Sequence, residues 1–235
     1  MSPRSLRATL AFACLAAAAP VTAQTVVGPD APASRFNRLR DISVRPQVAV
    51  PPASPDVFGT VAVGAGVTFY DARFRRVANT DRTHPLVIAL AQGLKGMTPE
   101  QQLAAVQGAV RQKVHWATDL DTMKVADLWA NAGETLERGA GDSEDIAVVE
   151  MQALKAAGWN PRDLYISIGR EKGVGAHIVL LARAPSGFYV LDDRADRPMT
   201  PQEHHRFTPV LTIGEGKSWV HGRRVNGVAS RLSAR

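Results

Sequence analysis

"GAGDSEDIAVVEMQALKAAGW", residues 139–159, decides how the chain is read. Two glycines lead into Asp142, Ser143, Glu144 and Asp145, and an apolar run follows. Ile146, Val149, Ala153, Leu154 and Ala157 recur at helical spacing, and Gly158 marks a stop. The stretch predicts a helix from Ser143, with carboxylates around its first turn, where the helix dipole favours negative charge. After Gly158 the period changes to two. "DLYISIGR" alternates Leu164, Ile166 and Ile168, and "HIVLLAR" and "GFYVLDD" are strand runs joined by "APSG", a hairpin connection.

Upstream, "HPLVIALAQGLKGM" (84–97) carries apolar residues at helical spacing, and "TPEQQLAAVQGAVRQKVHWATD" (98–119) is a clearer helix. Thr98 suits the N-cap, Pro99 the first turn, and Gln101 completes a capping box. Leu103, Val106, Val110 and Val114 form its apolar stripe. "KVADLWANAGETLERG" reads as short helical or irregular chain, and "VFGTVAVGAGVTF" (57–69) as strand or loop. A helical half followed by an antiparallel sheet is an α+β arrangement.

Residues 1–23 pair Arg4 and Arg7 with the apolar "ATLAFACLAAAAP" and end in Val21-Thr22-Ala23. That three-part pattern predicts an export signal cleaved near Ala23 and a periplasmic or secreted protein. Cys14 is the only cysteine, so the mature chain has none. A disulfide framework, a thiolate zinc site and a cysteine nucleophile are then excluded. Residues 24–57, with six prolines, read as a flexible or extended arm; 58–222 form the domain; 223–235 are a basic tail. The net charge is +6, or +4 once Arg4 and Arg7 are removed, without a basic stripe interleaved with aromatics. No nucleic-acid partner is expected; the charge serves solubility or an anionic envelope surface.

Three residues carry the chemistry. Ser143 sits at a predicted helix start, His177 opens one strand, and Asp192 ends the strand hairpinned to it. A nucleophile at a helix N-terminus gains from the dipole and from free N–H groups that hold an oxyanion. A histidine on a nearby strand takes its proton, and a paired carboxylate orients the imidazole. Serine is also among the best N-cap residues, so a helix cap is the plain alternative. Trp116 and Trp129 read as core, with the wall of a substrate groove as the alternative for Trp129. His204-His205 reads as a solvated loop, and His84, His115 and His221 show no constellation.

These blocks resemble the bacterial transglutaminase-like cysteine peptidases of the papain-like superfamily. The motif of that family is Gly-Asp-Cys-Glu-Asp at a helix start, a His-Ala-Val-Leu strand, then Leu-Asp-Asn. Here stand Gly141-Asp142-Ser143-Glu144-Asp145, His177-Ile178-Val179-Leu180 and Leu191-Asp192-Asp193. "DLWANAGETLERGAGD" and "EQQLAAVQGAVRQKVHW" resemble the preceding segments, and the likeness runs from about 84 to 222. It implies a papain/transglutaminase-like fold and a peptidase acting on a protein or peptide of the cell envelope. Family members include periplasmic proteases that clip large surface adhesins, and a membrane receptor is a further expected partner.

The resemblance puts Ser143 where the family has its cysteine. A thiol near pKa 8.5 forms a thiolate beside a histidinium, whereas a hydroxyl needs concerted proton removal by an aligned base. Two readings follow: a Ser143–His177–Asp192 hydrolase, or an inactive pseudopeptidase that keeps a binding groove. Acyl transfer shares the first step with hydrolysis. Asp193 is an alternative orienter of His177. Some peptidases of this family depend on calcium through acidic residues of the motif, which implies a calcium site at Asp142, Glu144 and Asp145; hard cations take several such oxygens.

Overall fold

The computed structural model describes residues 52–78 and 81–223. In chain order its elements are β1 (Val61–Ala65), α1 (Phe69–Ala78), α2 (Pro85–Gln92), α3 (Pro99–Lys113), β2 (His115–Trp116), α4 (Asp119–Met123), α5 (Ala132–Arg138), β3 (Ala140–Gly141) and α6 (Ser143–Ala156). A 3-10 turn (Pro161–Asp163) then leads into β4 (Leu164–Glu171), β5 (Gly175–Ala184), β6 (Gly187–Leu191), β7 (Phe207–Gly214) and β8 (Lys217–Gly222). The expected helical half and antiparallel sheet both form, and the stretch left between strand and loop supplies β1 and the entry to α1. The stretch read as an export signal and nearly all of the basic tail lie outside the described residues. Among the described residues no helix is long and apolar enough to cross a membrane.

α3 starts as its sequence dictates. Thr98 accepts from the Gln101 N–H, and the Gln101 side chain accepts from the Thr98 N–H, so two orphan donors are satisfied reciprocally. α6 departs from expectation. Its apolar stripe predicts one buried face, but every residue from Asp145 to Lys155 is buried, because α1, α2, α3, α5, β4 and β5 all pack on it. Buried polar side chains then need partners. Gln152 Nε2 donates to the Val77 carbonyl, and Lys155 Nζ donates to the Ala78 carbonyl at 2.6 Å. Both carbonyls belong to the last turn of α1, where helix carbonyls lack intrahelical partners. α6 therefore pins a neighbour with the side chains its amphipathic pattern would have sent to solvent.

The sheet runs β1-β8-β7-β4-β5-β6, and every neighbouring pair is antiparallel. α6 and the other helices cover one face through Leu164, Ile166, Leu180, Ala182 and Ile213. The opposite face buries Tyr165, Val179, Leu181, Val190, Phe207 and Trp219. Val57 and Ala62 close over it. Residues 52–57, read from their prolines as part of a flexible or extended arm, instead pack on the sheet. Tyr165 Oη donates to the Ala53 carbonyl at 3.1 Å, and the Ala62 N–H donates to Asp56 Oδ1 at 2.7 Å. The apolar back of the sheet needs a cover, and this segment supplies part of it.

Candidate active site

The site lies where the helical half meets the sheet. Asp142, not Ser143, occupies the N-cap position of α6, so Ser143 is the first helical residue and its hydroxyl is free of capping duty. A short parallel pairing of β2 with β3 sets the strand before it: His115 faces Ala140 and Trp116 faces Gly141. Gly141 is required by space. A Cβ there would come 2.7 Å from Asp145 Cβ and 2.8 Å from Asp145 Oδ2. Asp145 turns inward instead of joining the cleft, accepting from the Ala130 N–H at 2.8 Å and from Arg138 Nη2 at 2.9 Å.

β5 carries His177, and the two-residue turn Pro185–Ser186 returns the chain as β6. The register pairs Leu180 with Leu191, which leaves Asp192 just past the end of β6. His177 Nε2 lies 2.9 Å from Asp192 Oδ1, and Ser143 Oγ lies 3.3 Å from His177 Nδ1. Burial opposes ionisation of Asp192, but hydrogen bonds from His177 and His204 hold its carboxyl well below the usual carboxylate range. A carboxylate only accepts, so Nε2 carries the proton and Nδ1 offers its lone pair to Ser143. The Arg194 N–H donates to the same Asp192 Oδ1 at 2.9 Å. From the helical half, Gln107 Nε2 donates to the Asp192 carbonyl at 2.8 Å and to the Ala195 carbonyl at 3.0 Å, which ties the loop after β6 to α3.

Asp193 does not orient His177 as its first role. Its Oδ2 is 3.3 Å from Ser143 Oγ, and its Oδ1 is 3.5 Å from His177 Nε2. Burial pushes this carboxyl up to about 6, the His177 charge opposing and the Asp192 charge adding. Beneath both aspartates, Glu150 on α6 is fully enclosed. Burial first, then the Asp193 and Asp192 charges, push its carboxyl well above the usual range, which favours its neutral form.

A cleft of about 260 Å³ opens over the nucleophile, lined among others by Tyr70, Trp116, Trp129, Ile168 and Ile178. Trp116 is corrected from core to cleft wall: its two-residue strand leaves the ring 52% exposed. Trp129 is 1% exposed and also reaches the cleft, so it serves both core and wall. His204 is corrected from solvated loop to buried partner. It is 5% exposed, and its Nε2 lies 2.5 Å from Asp192 Oδ2. Its neighbour His205 is exposed, as expected of a loop residue. A run of two histidines outside any motif carries no signal that one of them folds inward.

The three acids expected as a metal site do not meet as a trio. Asp145 groups with Asp119 and Asp142, and Glu144 groups with Asp119 and Asp127, the candidate ligand oxygens of each set lying within 4.8 Å of one another. Asp119 and Asp127 stand 22 and 14 residues ahead of Gly141, where the motif starts, beyond any local pattern. Burial first, with the Asp119 charge, pushes Asp142 up to about 6. Burial and the Asp142 charge push Glu144 up to about 9. Burial also takes Asp145 up to about 7, against the Ala130 N–H and Arg138. Asp119 Oδ1 and Asp142 Oδ1 are buried without a hydrogen-bond partner. Such a donor set, hard oxygens with orphaned lone pairs, fits a hard divalent cation. Arg73, paired with Asp127, supplies part of the missing positive charge.

The description "bacterial transglutaminase-like cysteine proteinase" belongs to the family whose model matches residues 89–221. The structure is similar in fold to Legionella pneumophila LapG in its calcium-bound form, with TM-score 0.51 and 24% identity over 60% of this chain and 81% of that one. A second LapG structure gives 0.50 and 25% over 56% and 72%. The EGTA-treated form gives 0.51 and 22% over 66% and 87%. No curated protein matches the sequence. The only cysteine, Cys14, lies outside the matched span, which contains Ser143, His177 and Asp192. With the family model matching residues 89–221, more than half of the chain, the chain belongs to the bacterial transglutaminase-like cysteine proteinase family.

Proposed function

We propose that this chain is an exported hydrolase that cleaves an amide bond of a protein substrate with Ser143, His177 and Asp192. One observation carries the reading. Hydroxyl, imidazole and carboxylate stand in sequence at 3.3 and 2.9 Å, at the floor of a cleft lined by apolar side chains. His177 Nδ1 takes the proton as Ser143 Oγ attacks the carbonyl carbon, and it returns that proton to the leaving amine. Asp192 stabilises the imidazolium in between. The N-terminus of α6, where helix N–H groups lack intrahelical partners, is the source of donors for the developing oxyanion in this reading. The leader pattern at 1–23 supports export and a substrate in the cell envelope, with a membrane receptor as a further partner.

The same reading includes a calcium site at Asp119, Asp127, Asp142 and Glu144, with Asp145 as an inner brace of the same acidic group. The orphaned oxygens support it, and LapG has a calcium-bound structure. A bound cation would supply the positive charge that lets Asp142 and Glu144 ionise together beside the nucleophile. A second reading, a pseudopeptidase that binds peptide without turnover, draws on the Asp193 contact. That carboxylate competes with His177 for the one proton Ser143 can donate.

The test compares mature wild type, Ser143→Ala and Ser143→Cys on a mixed peptide library, with calcium and with chelator. Cleavage by wild type and not by Ser143→Ala supports the hydrolase. Cleavage by Ser143→Cys alone establishes the binding module instead.

A further inference from the structure

Asp192 is held from two sides. Its Oδ1 accepts from His177 Nε2 and from the Arg194 N–H, both at 2.9 Å. Its Oδ2 accepts from His204 Nε2 at 2.5 Å. His204 is 5% exposed and sits in a turn that its own N–H closes on the Thr200 carbonyl at 3.1 Å. Its ring is edged by Phe207 at 5.7 Å and by Phe58 at 6.3 Å, and the two phenyl rings meet at 5.1 Å. Phe207 also edges His177, at 6.3 Å. One phenyl ring thus lies against both histidines that grip the same carboxylate.

Two backbone features make this seat. Gly169 faces His177 across the β4–β5 ladder, at the register shift between β4 and β7. A Cβ there would come 2.7 Å from Phe207 Cζ and 2.3 Å from the Thr208 carbonyl oxygen, so only glycine lets that ring in. Phe58 has φ +56, a left-handed conformation that a side chain adopts at a cost. It is kept there by the packing of its ring on Phe207 and His204. A buried histidine that only filled space would not need to face the reactive carboxylate.

We propose that His204 is a positioning residue of the active site. It occupies the second oxygen of Asp192, keeps that carboxylate in the plane of the His177 ring, and so fixes the His177 tautomer whose Nδ1 faces Ser143. The proposal rests on the reading of His177 and Asp192 as the working pair, but the tautomer is measurable without turnover.

Histidine ring nitrogens are followed by two-dimensional ¹⁵N–¹H NMR in wild type, His204→Gln and His204→Leu, with thermal melts by circular dichroism. Glutamine keeps a donor near the Nε2 position and leucine removes it. Wild type and His204→Gln are expected to show His177 as the Nε2–H tautomer. A folded His204→Leu is expected to show a mixture. In the catalytically active form, wild type or Ser143→Cys, kcat is expected to fall in His204→Leu by about 10–100-fold with KM unchanged, by analogy with the loss of an outer partner that orients a metal-bound histidine. His204→Gln restores it. A folded His204→Leu with an unchanged His177 tautomer overturns the proposal. So does a wild type without a hydrogen-bonded His204 Nε2–H, which settles the matter even if the leucine variant fails to fold. Loss of the tautomer in a protein without turnover sustains this proposal and sinks the hydrolase reading alone.

Discussion

Ser143 Oγ stands 3.3 Å from His177 Nδ1 and also 3.3 Å from Asp193 Oδ2. A hydroxyl has one proton to donate. Above about pH 6 the Asp193 carboxyl is ionised, and a hydrogen bond to a charged acceptor outcompetes one to a neutral nitrogen. Replacing Asp193 by asparagine makes both acceptors neutral. The difference between charged and neutral hydrogen bonds is about 1 kcal/mol, or roughly fivefold in rate. Asp193→Asn is expected to raise kcat/KM by about that factor at pH 8 and to leave it nearly unchanged at pH 5. A pH–rate profile of the two proteins checks this, and a loss of activity at pH 8 would make Asp193 part of the base.

The acidic group predicts a pH-dependent stability that a cation reverses. Asp142, Asp145 and Glu144 are raised to about 6, 7 and 9 from ordinary values of 3.8, 3.8 and 4.5. The folded chain therefore binds more protons than the unfolded one, and stability falls as pH rises. This contribution is complete below about pH 4 and is lost through the window up to about pH 9. In chelator, the melting temperature is expected to drop between pH 5 and pH 9. Calcium is expected to restore it at pH 8, by roughly 2–4 °C for each kcal/mol of relief, and to do little at pH 5. A calcium shift as large at pH 5 as at pH 8 would place the ion elsewhere.

The two tryptophans of the cleft are expected to separate binding from stability. Trp116 is half exposed, so Trp116→Ala should weaken peptide binding while the melting temperature moves little. Trp129 is buried, and Trp129→Ala should cost about 3–5 kcal/mol of stability. Urea unfolding and peptide titration on both variants test the contrast.

Gly169→Ala is expected to destabilise the fold more than Gly141→Ala. The first pushes a Cβ against the backbone of β7, which must move as a strand, while the second pushes against the Asp145 side chain. Overpacking of this kind costs about 1–3 kcal/mol, and the stiffer neighbour, the β7 backbone, sets the upper end. Urea midpoints of the two variants rank them.

Sequence showed the Ser143, His177 and Asp192 blocks because each sits at the end of a strongly patterned element. The helix break at Gly158 and the hairpin turn at 185–186 then bring the ends together. His204 was invisible for the opposite reason. It lies in an irregular turn, and its function comes from meeting Asp192 across the fold rather than from any periodic neighbour. Asp119 and Asp127 escaped notice similarly, since their approach to Asp142 and Glu144 depends on the path of the chain between α4 and α5. The polar residues of α6 misled in another way. Gln152 and Lys155 look like a solvent face until the last turn of α1 is seen to need their donors.

α6 is anchored from Asp145 to Lys155, downstream of the residue that faces the cleft. Its brace to Arg138, its hold on α1 and its packing on the sheet all survive a change at position 143. Selection for folding is therefore blind to which small polar side chain stands there. A change at position 143 is therefore expected to alter the chemistry of the cleft while leaving the scaffold around it in place.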